Sequence, residues 1–316
     1  MNHYSYRICG LRIESTIHLP ELPLVNGKAP DFRFEVLNSR KLPNCHWVRQ
    51  FTLDDGDPWL MVGGNDANFH LRFPDMAHFQ VDTLAKQIQC HPLSDVATDA
   101  ITHLFLNTVV PLVVSHQGRL VLHASAVFVE DKTIAFIGES GQGKSILAAF
   151  LGRKGYPVVA DDCLLIDENV PGFPTIPSYP AMRLWPEALS VLFNRGSSLP
   201  AVASYTTKRR LGQDKGLIHF KPEPEPLFRI YDLSNDSGVK SNGKITVKSL
   251  PAREAFMELV RHHFNTGLET HQQLEKEFQY MGRMVNSVSF RRICYPRDYA
   301  LLPKVCEAIL EDLLSE

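Results

Sequence analysis

At 316 residues, 44% of them hydrophobic and 22% charged, the chain has room for one large or two ordinary domains with full cores. A formal charge of −2 excludes a long-range pull toward nucleic acid or an acidic membrane, so neither is expected as a partner. Cys9, Cys45, Cys90, Cys163, Cys294 and Cys306 are scattered without a C-x-x-C pair, which argues against structural zinc or a disulfide framework and for reduced thiols in a cytoplasmic protein. The N-terminus lacks a charged-then-apolar leader, and no apolar run reads as long enough to span a bilayer. Residues 1–92 alternate short apolar or aromatic runs with turn signals, at 6–13, 32–36, 51–53, 59–62, 69–73 and 79–81, and predict a β-rich N-terminal module. Ser94 then opens a helix with Ala97, Ile101, Leu104, Phe105 and Thr108 on one face, ending before Pro111. Residues 93–316 read as a second, α/β domain. Its first strands, 120–129 and 133–137, form a pair, followed by a Gly-rich loop, a helix and the strand 158–160. About twenty residues separate the strands flanking that helix, enough for a βαβ crossover. The Pro-, Gly- and Ser-rich stretch 171–226 predicts a loop-dominated middle, and helices are expected near 251–264 and after Pro303.

The loop carries the most chemistry. Gly138-Glu139-Ser140-Gly141-Gln142-Gly143-Lys144-Ser145 satisfies the phosphate-loop (Walker A) pattern G-x-x-x-x-G-K-[ST] between a strand and a helix. In that pattern Gly138, Gly141 and Gly143 let successive N–H groups converge on a phosphate, with Ser140 and Gln142 supplying further amides. Lys144 reaches the β- and γ-phosphates, and the Ser145 hydroxyl ligates Mg²⁺. Asp161 and Asp162 follow the strand 158–160, at the strand end where ligands bind in open α/β sheets. One of the pair can hold Mg²⁺ and the other can accept the proton of an attacking hydroxyl. Arg183, Lys208, Arg209 and Arg210 are candidate cations for a transferring phosphoryl group, the last three reading equally well as a solvated basic loop. His262 and His263 point about a hundred degrees apart on a helix, which predicts one core-facing and one exposed ring rather than a shared ion.

With the loop, His123 and Ala160-Asp161-Asp162 in place, residues 123–162 resemble the catalytic domain of the HPr kinase/phosphorylase family. The resemblance implies a P-loop kinase core of the HPr kinase/phosphoenolpyruvate carboxykinase type. It implies Asp161 as general base, Asp162 and Ser145 on the Mg²⁺ side, and His123 beside the proton relay, with Lys144 and Arg183 as the cations. Where that family carries an Arg-Gly-rich phosphorylase signature, this chain has residues 177–186, PSYPAMRLWP, so the resemblance does not extend to the phosphorylase reaction. Residues 6–15, 183–186 and 295–298 resemble instead the HPr-kinase-related serine kinases of peptide-modification clusters, including those acting on lasso-peptide precursors.

The expectation is an ATP- and Mg²⁺-dependent serine kinase acting on a peptide or small protein. A small-molecule kinase, for example for free serine, and a nucleotide-sensing module without transferase activity remain alternatives. Relatives of the resembled family are hexameric, which leaves a homo-oligomer open.

Overall fold

Alternating burial organises the N-terminal part of the chain. The computed structural model describes residues 3–27, 29–37, 45–53, 56–93, 95–195, 198–233 and 244–315. They divide into two compact units, one of Met1–Arg119, Val202–Thr207 and Phe264–Lys276, the other of Leu120–Ala201, Lys208–His263 and Glu277–Glu316. The first holds β1 (Tyr4–Ile8), β2 (Leu11–Ser15), β3 (Phe32–Val36), β4 (Trp47–Thr52), β5 (Pro58–Gly64), β6 (Asn68–Phe73), β7 (Ala77–Asp82) and β8 (Gln87–Pro92). They form one sheet in the order β1-β2-β3-β8-β7-β6-β5-β4. Phe69, Leu71 and Phe73, Phe79 and Val81, and Ile88 and Cys90 are fully buried at period two on one face. Each large apolar side chain sequestered there is worth about 1.5–3 kcal/mol. The other face carries His70, His78 and His91, all buried, with His78 directly opposite His91 in register.

Two expectations change here. The run 6–13 is a hairpin rather than one strand, because Cys9 and Gly10 both take positive φ (48° and 74°) and turn β1 into β2. The helix does not end before Pro111: α1 (Thr98–Leu104), a π-turn (Phe105–Val109) and α2 (Val110–His116) run on continuously. The π-turn already interrupts the i→i−4 ladder just ahead of Pro111, where the missing N–H and the ring are accommodated. Ser94, the expected helix start, lies outside the described residues. Thr98–His116 is therefore long and apolar enough to cross a membrane by length and composition, with 72% of its span buried inside the protein. Phe105 stacks on Phe34 of β3 at 3.7 Å between ring centroids, so this helix groups with the sheet and the first unit extends past residue 92.

In the second unit the expected strand 120–129 breaks at His123 into β9 (Leu120–Leu122) and β10 (Ala124–Val129). β9 pairs with β13 (Leu164–Ile166), whereas β10 pairs with β11 (Lys132–Ile137) and with β12 (Val158–Ala160). The crossover from β11 through α3 (Lys144–Arg153) to β12 thus passes over one intervening strand. β17 (Glu225–Asp232) lies parallel beside β11, and β19 (Ser289–Cys294) parallel beside β17. β11, β12, β17 and β19 consequently all end on the same edge of a mixed sheet. β14 (Pro174–Ile176) joins β13 to the start of β17, and β18 (Thr246–Ser249) extends β19.

Alternation again assigns the layers. Ile134 and Phe136 pack with α3, α4 (Pro186–Phe193) and α7 (Leu302–Leu314), whereas Ala135 and Ile137 pack with α5 (Ala252–His262) and α6 (His271–Val285). The fold is α/β, with helices on both sides of this sheet. The middle stretch is more ordered than its composition predicts. β15 (Ala181–Leu184) pairs with β16 (Arg209–Gly212), and Pro186 sits at the start of α4, where a missing N–H costs nothing.

Candidate active site

The loop 138–145 leaves β11 at the edge where the parallel strands end and runs into α3. Gly138, Gly141 and Gly143 adopt φ of 147°, 80° and 94°. At Gly138 a Cβ would meet Gln142 Oε1 at 2.5 Å, the same atom that accepts the Glu139 N–H at 3.0 Å. Only glycine fits that turn. Ser140 and Gly141 are exposed at the tip. Lys144 folds back under the loop, donating to the carbonyls of Gly138 (2.7 Å) and Glu139 (3.0 Å). Burial lowers its pKa to about 8, against the opposing pull of Asp162 and Asp161.

Two carboxylates at the end of β12 face this cation. Asp161 is buried; its Oδ1 accepts from Ser125 Oγ at 2.8 Å and its Oδ2 from the Arg183 N–H at 3.0 Å. The hydroxyl of the loop's Ser145 adds to the effect of these donors. Burial and the adjacent Asp162 raise the proton affinity of Asp161 further than these donors lower it. Asp162 takes the opposite course. Burial alone would raise it, but Arg183, Lys208, His123 and Lys144 together hold it well below the usual carboxylate range. Arg183 Nη1 stands 3.0 Å from its Oδ2.

A tight turn sets the two acids apart. Asp162 has φ 62°, and the Cys163 N–H returns to the Asp161 carbonyl at 2.8 Å. A non-glycine residue in that region carries strain of order 1–3 kcal/mol. His123 Nδ1 lies 3.0 Å from the Asp162 carbonyl. A carbonyl only accepts, so Nδ1 carries the proton and Nε2 keeps its lone pair. Burial, with Lys144 adding to it, lowers the His123 pKa to about 4, and the ring is neutral near pH 7.

The structure therefore brings together Lys144, Ser145, Asp161, Asp162, Arg183 and His123. Lys208 joins them electrostatically and lies with Nζ 5.3 Å from the Trp185 ring. Arg210 acts instead on Asp214. Arg291 and Arg292 hold Asp312 and Asp232 in the fold. His262 and His263 are both buried, a correction to the expected exposed member, because His263 bridges to Leu122 while the His262 carbonyl accepts the His123 N–H at 2.7 Å. Burial, Lys144 and His123 lower the His262 pKa to about 4, which marks it as a neighbour the sequence did not reveal. Ser125 of β10, two residues beyond His123, is another.

Among the described residues no group of three or more His, Cys, Asp or Glu could hold a metal by itself. Ser145 and the paired acids are hard oxygen donors of the kind Mg²⁺ takes one or two at a time, completing its shell with water and phosphate.

No family model and no curated protein matches the chain. Its fold is similar to a solved structure of the Hpr(Ser) kinase/phosphatase from Coxiella burnetii, with a TM-score of 0.33 and 12% identity over 62% of this chain and 97% of that one. The likeness is distant. At that score it carries no chemistry, which must come from the residues of the site.

Proposed function

We propose that the chain is an ATP- and Mg²⁺-dependent kinase that transfers the γ-phosphoryl group to a serine hydroxyl of a peptide or small protein. One observation carries the reading: β11 and β12 run parallel and end on the same edge of the sheet, so the loop with Lys144 and the paired acids meet there. In this reading the amides of 138–145 and Lys144 bind the polyphosphate. Ser145 and Asp162 hold Mg²⁺, which when bound neutralises charge on the phosphates. Asp162 suits that part because its neighbours keep it ionised. Asp161 suits the base, since its raised proton affinity lets it take the proton of the serine hydroxyl as the oxygen attacks phosphorus. Arg183 steadies Asp162, and Lys208 stands nearby as a further cation for the transferring group. The peptide class, including lasso-type precursors, draws on the resemblance of residues 6–15, 183–186 and 295–298.

Asp161→Asn should leave nucleotide binding nearly intact while phosphoryl transfer falls by about 10² to 10⁴. The measurement is transfer of labelled γ-phosphate from ATP to serine-bearing peptides, beside nucleotide titration of the same variant. Undiminished transfer would remove Asp161 from the mechanism. Label recovered only as inorganic phosphate, or on free serine, would replace the peptide acceptor.

A further inference from the structure

The segment after β19 lies against the phosphate loop, and the chemistry above assigns no step to its side chains. Tyr295 and Arg297 follow the end of that strand, on the edge where β11 also ends. A Cβ built at Gly143 would lie 3.1 Å from the Tyr295 hydroxyl and 3.9 Å from Arg297 Nη1. Gly143 immediately precedes α3, so the guanidinium lies close to the turn by which the loop enters the helix. Arg297 is exposed, yet it is held in place: its guanidinium carbon lies 4.3 Å from the centroid of the buried Tyr295 ring, and Nη2 donates to the Leu233 carbonyl at 2.5 Å. A guanidinium has five N–H donors, so these anchors leave capacity for an anion.

We infer that Arg297 is a nucleotide-binding residue that contacts the diphosphate retained in the product rather than the phosphoryl group that is transferred. The assignment rests on the nucleotide reading of the loop. The position decides which phosphates are meant, because the amides of such a loop cradle the α- and β-phosphates, while the paired acids stand at the end of β12. Tyr295 supplies the rigid platform, and Leu233 fixes the guanidinium's rotation. Arg is suited to this position because its planar fork engages two phosphate oxygens, whereas Lys offers a point charge.

The test is calorimetric titration of the full chain and of Arg297→Ala and Arg297→Lys with ADP and with ATP, plus displacement of a fluorescent nucleotide by inorganic tripolyphosphate. For Arg297→Ala the dissociation constants for ADP and ATP should rise together by about ten- to a hundredfold, as expected for losing a hydrogen bond to a charged group. Tripolyphosphate should weaken in parallel, and Arg297→Lys should recover only part of the loss. Unchanged affinities overturn the inference. So does a loss confined to ATP, which would place the contact on the transferred group, or one spared with tripolyphosphate, which would place it on the nucleoside. Wild-type protein that binds neither nucleotide would instead overturn the nucleotide reading itself.

Discussion

Adjacent carboxylates that differ in proton affinity are the chemical centre of this molecule. Asp161 and Asp162 are neighbours in sequence, but one faces a hydroxyl and a backbone amide while the other faces cations, and that difference sets the proton affinity of the first above that of the second. Lys144 is the residue whose charge the site must restore. With its pKa lowered to about 8, it is largely neutral at about pH 8.5, and bound phosphate should return the proton. Nucleotide titrations near that pH, in two buffers of different ionisation enthalpy, should report proton uptake that shrinks toward neutrality. In Lys144→Arg the uptake should vanish, since guanidinium stays charged. Equal heats in both buffers for the wild type would mean that Lys144 does not meet the phosphate. Lys144, Ser145 and the acids were legible because each belongs to a short contiguous pattern. His262 was not, because helical spacing gives the angle between two rings and not which strand covers the second one.

Strands and helices show the same division between local signal and tertiary context. The apolar or aromatic runs of β3, β6 and β7 were legible because turn signals bound them on both sides. The break at His123 could not be seen, because 120–129 is mostly apolar with no glycine or proline, and only the partners of its two halves differ. Pro111 misled in the opposite direction, since a π-turn absorbed it. α6 was missed because its residues are mostly polar, although a start signal was present: the Thr270 and Gln273 side chains bond reciprocally across the first turn, with Thr270 N–H to Gln273 Oε1 at 2.6 Å and Gln273 N–H to Thr270 Oγ1 at 3.3 Å. Thr270→Ala should cost about 1 kcal/mol, read as a lower urea midpoint with an unchanged slope. An unchanged midpoint would mean that α6 does not depend on this cap.

Across the whole molecule, buried neutral histidines set the response to acid. His78, His123 and His262 each have a pKa lowered to about 4, chiefly by burial. His78 of β7 faces His70 and Arg72 of β6, His91 of β8 and Trp47 of β4. His123 faces Lys144, Asp162 and Lys208, and His262 faces Lys144, His123, Asp232, Glu258 and Arg261. In the unfolded chain these rings protonate near 6.5, before their folded counterparts do, so the unfolded state binds more protons between about pH 6.5 and 4. Their stabilisation is complete above that window and is lost as pH falls through it. Melting temperature should therefore drop steeply between about pH 6.5 and 4, and His78→Phe should flatten part of the drop. A flat profile would mean that these rings are not buried neutral.

The partition of the chain has a practical corollary for anyone dissecting it. Val202–Thr207 and Phe264–Lys276 belong with Met1–Arg119, although the rest of the sequence from Leu120 onward belongs elsewhere. Tyr205 meets His103, and Thr266 meets His116, through hydrogen bonds that no fragment ending at Arg119 can form. A single scissor cut therefore yields no intact half, because each unit is assembled from separated stretches of the polypeptide.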